Sequence, residues 1–197
     1  SMTLPLRIRP GAGDQSGTKY RTFCCYGNTR CGKTQFAATF PNPVFISDMS
    51  ERGWVTLENM NVQDFYDPDR EIVIVPVGDQ AQVTIAMQHV EQWVRQGYFD
   101  TVVFDSLTFY AESWFNDQHQ KMARAGTIDT RALYGAMGQH LSNLRTQVHK
   151  WPCNVVWTAL ASPPADKEEG GPMLSGKSKF RFAAGCDHIF YHRKYQH

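Results

Sequence analysis

What the chain has little of narrows it first. No apolar run approaches the roughly 18 residues that a membrane span needs. No charged segment leads into an apolar one, so no signal peptide is expected. Charge of one sign is also missing: Lys plus Arg number 20 and Asp plus Glu 19, a formal net charge of +1. That balance disfavours a uniformly basic nucleic-acid coat and an acidic disordered tail. Cysteines are few and odd in number, five in all, at Cys24, Cys25, Cys31, Cys153 and Cys186. No Cys-x-x-Cys pair occurs among them, so reduced, mostly buried thiols of an intracellular protein are expected. Cys24 and Cys25 are neighbours and should point to opposite faces of a strand. There is no internal repeat and no low-complexity tract.

What is present suits one globular domain. The chain has 197 residues, 42% of them hydrophobic and 13% aromatic. That length supports a single core and makes two domains unexpected. Ser1-Met2 reads as a cleavage scar before a native start. Pro5, Pro10, Gly11, Gly13 and Gly17 make residues 1–18 an arm, which leaves 19–197 as the folded domain.

Strand-like and helix-like stretches alternate along that domain. Tyr20 to Tyr26 is a short apolar strand. A helix from Lys33 to Phe40 follows and ends at Pro41 and Pro43. Val44 to Ser47 and Ile72 to Val77 are further strands. Gln80 to Gln96 carries Val83, Ala86, Met87, Val90 and Val94 at helical spacing, with Gly97 as its stop. Thr101 to Asp105 is a fourth strand. Helices are expected over Leu107–Ala125 and Thr130–Lys150. Asn154 to Thr158 is a fifth strand, and His188 to Tyr191 is a candidate last one. Ser162 to Ser175 is rich in Pro, Gly and charge and reads as a loop. The strands are continuous apolar runs without alternation, as burial on both faces demands. The fold class is therefore α/β, a mostly parallel central sheet with helices on both faces.

The strongest motif is Gly27-Asn28-Thr29-Arg30-Cys31-Gly32-Lys33-Thr34, a full G-x-x-x-x-G-K-T between an expected strand and an expected helix. Glycines let successive backbone N–H groups converge on phosphate oxygens. The helix start adds partial positive charge aimed at the same oxygens. Lys33 reaches the β- and γ-phosphates, and the Thr34 hydroxyl is a hard oxygen ligand for Mg²⁺. Gly27 through Gln35 is thus the candidate phosphate-binding site for a nucleotide. Cys31 is either space-filling or a reactive thiol at a helix start.

Thr101-Val-Val-Phe-Asp105 ends an apolar strand on an acid. Strand C-termini face the ligand in open α/β sheets. Asp105 is therefore placed to hold the Mg²⁺ shell opposite Thr34. Ser106 either caps the next helix or touches that shell. A water-orienting acid is also needed. Asp48 and Glu51 are the two candidates, both where the chain leaves the second strand.

With these residues assembled, the chain resembles the RecA-like P-loop ATPases encoded by phages, a group that includes single-strand-annealing recombinases. The resemblance spans roughly Tyr20 to Tyr191 and rests on an ordered set of motifs. These are Tyr26-Gly-x4-Gly-Lys-Thr34, Phe40-Pro-x-Pro-Val-Phe-Ile46, Glu51-Arg-Gly53, Val102-Val-Phe-Asp-Ser106, Asn154-Val-Val-Trp-Thr-Ala159 and Pro172-Met-Leu-Ser-Gly-Lys177. It implies a RecA-like fold, binding and hydrolysis of ATP with Mg²⁺, and action on single-stranded DNA in recombination or annealing. It also implies self-association, and location in the host cytoplasm if the chain is phage-encoded. Glu51 matches the family's water-polarising glutamate, although the longer Ser47-Asp48-Met-Ser-Glu51 turn leaves Asp48 as an alternative. Lys33, Glu51 and Asp105 are then the catalytic set. Leu160 departs from the family, because a polar sensor of the γ-phosphate is often found near there; Thr158 or Ser162 is the substitute.

Residues 161–176 fall where RecA-like proteins carry a DNA-binding loop. Beyond them, Lys177-Ser-Lys179-Phe180-Arg181-Phe182 alternates basic and aromatic groups. That pattern suits a sugar-phosphate backbone with stacked bases, or a neighbour's nucleotide. Lys177, Lys179 and Arg181 are the candidates for DNA contact or for a cation supplied in trans. A solvated edge strand with Phe180 and Phe182 in the core explains the pattern equally. His188 and His192 would lie roughly 13 Å apart on a strand, which disfavours zinc. Trp93, Trp114, Trp151 and Trp157 read as packing residues, and Arg124, Arg131 and Arg145 as solvated helix positions. Two rival functions remain: a P-loop nucleotide or metabolite kinase, and a non-hydrolysing ATP-gated binding module. The loop after Ser162 has no arginine, which argues against the lid of a kinase.

Overall fold

The computed structural model describes residues 19–58, 60, 71–162, 171–172 and 178–193. Six strands form the main path of the sheet. They are β1 (Thr22–Gly27), β2 (Pro43–Asp48), β3 (Val73–Val77), β4 (Thr101–Asp105), β5 (Asn154–Ser162) and β7 (His188–His192). Their spatial order is β3-β2-β4-β5-β1-β7, and every neighbouring pair is parallel. A two-residue strand, β6 (Gly171–Pro172), pairs antiparallel with the end of β5. The helices are α1 (Lys33–Ala38), α2 (Val55–Glu58), α3 (Gln80–Arg95), α4 (Leu107–Arg124), α5 (Thr130–Val148) and α6 (Ser178–Ala184).

Burial follows the apolar runs. In β2 all six residues are buried, and in β4 the first four. One cluster on one face joins Val44, Ile46, Val102, Phe104, Val155 and Trp157 to the inner sides of α3, α4 and α5. On the other face Cys25, Phe45, Val103 and Val156 pack on Ala37 and Ala38 of α1. Each fully buried Val, Leu or Phe in these layers contributes about 1.5–3 kcal/mol. In α3, Val83, Ala86, Val90 and Val94 make the buried stripe, Asp79 caps the start by accepting from Gln82 N, and Gly97 follows with φ 81°. Trp151 and Trp157 are buried, and Trp93 and Trp114 pack partly against the same core.

Three sequence expectations change. The Lys177–Phe182 strip is not an edge strand: residues 178–184 are the helix α6, Phe182 is buried, and Arg181 is exposed. Phe182 packs edge-on against Trp157 at 5.0 Å, so one aromatic of the strip belongs to the core. Arg145 is docked, not solvated. Its Nη1 donates to the Arg181 and Phe182 carbonyls at 2.7 and 2.9 Å and so satisfies carbonyls near the end of α6. The fifth strand runs on to Ser162, where its last two residues pair with Gly171 and Pro172. Residues 163–170 and 173–177, which include Lys177, lie outside the described residues. No helix among the described residues is long and apolar enough to cross a membrane.

Candidate nucleotide site

Parallel pairing aligns the strand ends that carry the motifs. Asp105 pairs across the sheet with Ser47 on one side and Thr158 on the other. Gly27, the first residue of the glycine-rich motif, is in register with Leu160 and His192. The motif therefore leaves β1 at the same rim where β4 delivers Asp105. The loop bends through left-handed conformations at Arg30 (φ 60°) and Gly32 (φ 89°) before α1 begins. Gly27 tolerates no side chain: a Cβ there would lie 2.5 Å from the His192 carbonyl oxygen and 2.6 Å from Cys31 Sγ. No side chain caps α1 at Gly32.

A cleft of about 630 Å³ opens at this rim. Thr29, Arg30, Cys31, Gly32, Lys33, Thr34 and Gln35 line it from the loop, with Glu51 and Asp105 facing them. Gly27 and Asn28 are not among its lining residues, but their carbonyls accept hydrogen bonds from Lys33 Nζ at 3.0 and 2.7 Å. Lys33 also lies 3.6 Å from Cys31 Sγ. The lysine is thus folded back on its own loop, and reaching a phosphate requires it to leave these carbonyls.

Thr34 Oγ1 donates to Asp105 Oδ2 at 3.0 Å. Thr158 Oγ1 donates to the other carboxylate oxygen at 2.6 Å. The Thr158 hydroxyl is wholly buried, so it acts on Asp105 and orients the carboxylate. Burial pushes the Asp105 carboxyl up. The two threonine hydrogen bonds and the Lys33 charge pull the other way. Paired hard oxygens from a hydroxyl and a carboxylate fit Mg²⁺. Space beside them is kept by Gly53, where a Cβ would sit 3.0 Å from Asp105 Oδ2 and 3.4 Å from Thr34 Oγ1.

The two candidate acids behave differently. Asp48 is buried, and its oxygens accept from Ser50 N and Ser50 Oγ at 2.8 Å. It closes the turn and does not line the cleft. Glu51 does line the cleft. Desolvation and then the carboxylates of Asp48, Asp105 and Glu112 push its carboxyl above the usual range, opposed by Lys33. Ser106 caps α4, accepting from Phe109 N at 3.3 Å, and also lines the cleft. Leu160 gives the cleft an apolar wall, and Arg52, Val55 and Thr56 lie along the Glu51 side.

Residue order marks Glu51-Arg-Gly53 as a turn and gives Arg52 and Gly53 no role. An acid followed within two residues by glycine, just after the second strand, is the signal that was available. The basic strip is not brought to the cleft among the described residues. Arg181 is not one of its lining residues, Lys179 is placed only as backbone in α6, and Lys177 lies outside the described residues.

A parallel sheet in this strand order, with a glycine-rich loop at one strand end and an aspartate at the next rim position but one, defines a P-loop nucleoside-triphosphate-binding domain of the RecA-like class. The family described as the AAA domain matches residues 19–194, and the chain belongs to it. A KaiC-like protein from the hyperthermophilic archaeon Pyrococcus horikoshii is similar in structure, with a TM-score of 0.51 at 17% identity. The match covers 87% of this chain and 70% of that one, and at this identity it speaks for the fold. No curated protein matches the chain.

Proposed function

We propose that the protein is a Mg²⁺-dependent ATPase of phage type that works with single-stranded DNA in recombination or annealing. One observation carries the ATPase part. The Thr34 hydroxyl and the Asp105 carboxylate meet 3.0 Å apart in a cleft that Lys33 and Glu51 also line. Bound Mg²⁺ would neutralise charge on the β- and γ-phosphates. Thr34 would be its protein ligand, with Asp105 holding the ion's shell and kept in orientation by Thr158. Lys33 leaves the Gly27 and Asn28 carbonyls and pairs with the phosphates. Glu51 orients a water toward the γ-phosphorus, and burial and the neighbouring carboxylates, which raise its pKa, make it a stronger proton acceptor. The water oxygen bonds to phosphorus as the bond to the β–γ bridging oxygen breaks. The electron pair leaves with ADP, and the water's proton passes to Glu51.

The DNA part is supported by the ordered family motifs and by the basic residues of the strip. Lys179 and Arg181, both on α6, are the proposed contacts with the sugar-phosphate backbone, together with Lys177. Self-association is proposed on the same resemblance: a net charge of +1 excludes only a uniformly basic surface, and assembly would repeat the local basic strip along a strand. ATPase rate with and without single-stranded DNA, read alongside light scattering, tests the whole reading. Turnover that rises with DNA while the mass rises supports it. Phosphate appearing on a nucleoside monophosphate instead would make the protein a kinase.

A further inference from the structure

We propose that Arg52 supplies, within the same subunit, the positive charge that stabilises the γ-phosphoryl group as it transfers. The inference rests on the ATPase reading above. It replaces the neighbour-supplied cation that the basic strip suggested.

Position is the first argument. Arg52 lies between Glu51 and Gly53, and all three line the cleft. A Cβ on Gly53 would be 3.0 Å from Asp105 Oδ2, so this turn runs close beside the Thr34–Asp105 pair. Consecutive α-carbons are about 3.8 Å apart, which puts the Arg52 backbone within roughly one arginine side-chain length of that pair.

Backbone conformation is the second. Arg52 adopts φ 48°, a left-handed conformation that is uncommon for a residue with a side chain. Two hydrogen bonds hold it there: Arg52 N donates to the Asp48 carbonyl at 3.2 Å, and Val55 N donates to the Arg52 carbonyl at 3.0 Å. Glycine or asparagine would suit such a turn at lower conformational cost. An arginine at this position calls for a role beyond making the bend.

Availability is the third. The Arg52 side chain is exposed and has no hydrogen-bond or ion-pair partner among the described residues. Lys33, by contrast, moves from two carbonyls of its own loop to the phosphates of bound nucleotide. Arg30 also lines the cleft, but it belongs to the phosphate loop and not to the turn that carries Glu51.

Chemically, bond making by water and bond breaking toward ADP leave the phosphoryl oxygens with charge that a guanidinium can meet with two N–H donors. A cation of this kind acting in cis or in trans is worth about 10³–10⁵ in kcat.

The test compares binding of Mg-ADP with binding of Mg-ADP plus aluminium fluoride, a mimic of the transferring phosphoryl group, for wild type, R52A and R52K. Fluorescent ADP gives the readout. R52A should keep Mg-ADP affinity within about twofold and lose about 100-fold or more for the aluminium fluoride complex, a part of the arginine contribution. R52K should recover part of the loss. Mixing R52A with K33A should restore no turnover, because no single subunit would hold both residues. Equal binding of the mimic by R52A and wild type would overturn the proposal. So would equal losses for ADP and the mimic, or activity restored by mixing, which would mean that Arg52 acts on a neighbour. Failure of the wild type to bind Mg-ADP at all would overturn the ATPase reading itself, and the proposal with it.

Discussion

Thr34 Oγ1 donates to Asp105 Oδ2 across 3.0 Å, joining two residues 71 positions apart. Nothing local brings them together. The parallel register of β1, β5 and β4 does, by ending three strands at one rim. The proposed chemistry depends on keeping that pair aligned.

Thr158→Val tests the alignment. The substitution keeps the shape and removes the 2.6 Å hydrogen bond to Asp105 Oδ1. A buried carboxylate left with one partner fewer should cost about 1–3 kcal/mol of stability. Urea unfolding measures this, and a titration of Mg²⁺ in the presence of ADP should show weaker binding.

Gly53→Ala tests the free space beside the pair. Its Cβ would press on Asp105 Oδ2 at 3.0 Å and Thr34 Oγ1 at 3.4 Å. Magnesium-dependent nucleotide affinity should fall by about tenfold, equivalent to roughly 1.4 kcal/mol. Binding of nucleotide in EDTA should change less. Calorimetric titration under both conditions separates the two.

The two acids of the β2 turn should separate cleanly. Glu51→Gln should lower kcat by about 10²–10⁴, the usual contribution of a positioned base, with ATP affinity little changed. Asp48→Asn should keep turnover and lose stability, because its carboxylate accepts from Ser50 N and Ser50 Oγ. Steady-state kinetics and thermal melts on both variants decide the assignment.

Thiol chemistry supplies a pH test. Burial pushes the Cys25 and Cys153 thiols up to about 12 from an ordinary 9.0. A raised folded-state pKa means that stability from these neutral thiols is fully present below pH 9.0 and is lost as pH climbs toward about 12. Denaturant midpoints should therefore decline above pH 9.0. At pH 8 a thiol reagent should label half-exposed Cys31 and Cys186 ahead of the buried thiols, and ADP with Mg²⁺ should protect Cys31 but not Cys186, since only Cys31 of the two lines the cleft. Mass spectrometry of the labelled peptide reads both effects.

Much of this architecture was legible from residue order. Apolar runs without alternation marked strands buried on both faces, and β4 appears with the bounds read from sequence. Helix starts were visible where a capping side chain precedes an apolar stripe, as at Ser106. The phosphate loop was legible because its backbone geometry demands glycines at fixed spacing. The Lys177–Phe182 strip was not, because alternating basic and aromatic residues over six positions fit a strand or one helix face equally. Tertiary packing decides it: Phe182 is held between Trp157 and Arg145, and α6 forms. From residue order Thr158 and Ser162 are both open as the γ-phosphate sensor, and the Thr158 hydroxyl donates to Asp105 Oδ1. Only the β4–β5 register reveals that. Arg52 and Gly53 gain meaning only when the turn is seen folded onto the Thr34–Asp105 pair.

The most direct measurement is release of labelled phosphate from γ-labelled ATP by the wild type and by Lys33→Ala, each with Mg²⁺, with and without single-stranded DNA. An ATPase that works with single-stranded DNA gives wild-type turnover that DNA increases, and none above background for Lys33→Ala. Wild-type turnover surviving in Lys33→Ala, or label appearing on an added nucleoside monophosphate, would contradict that reading.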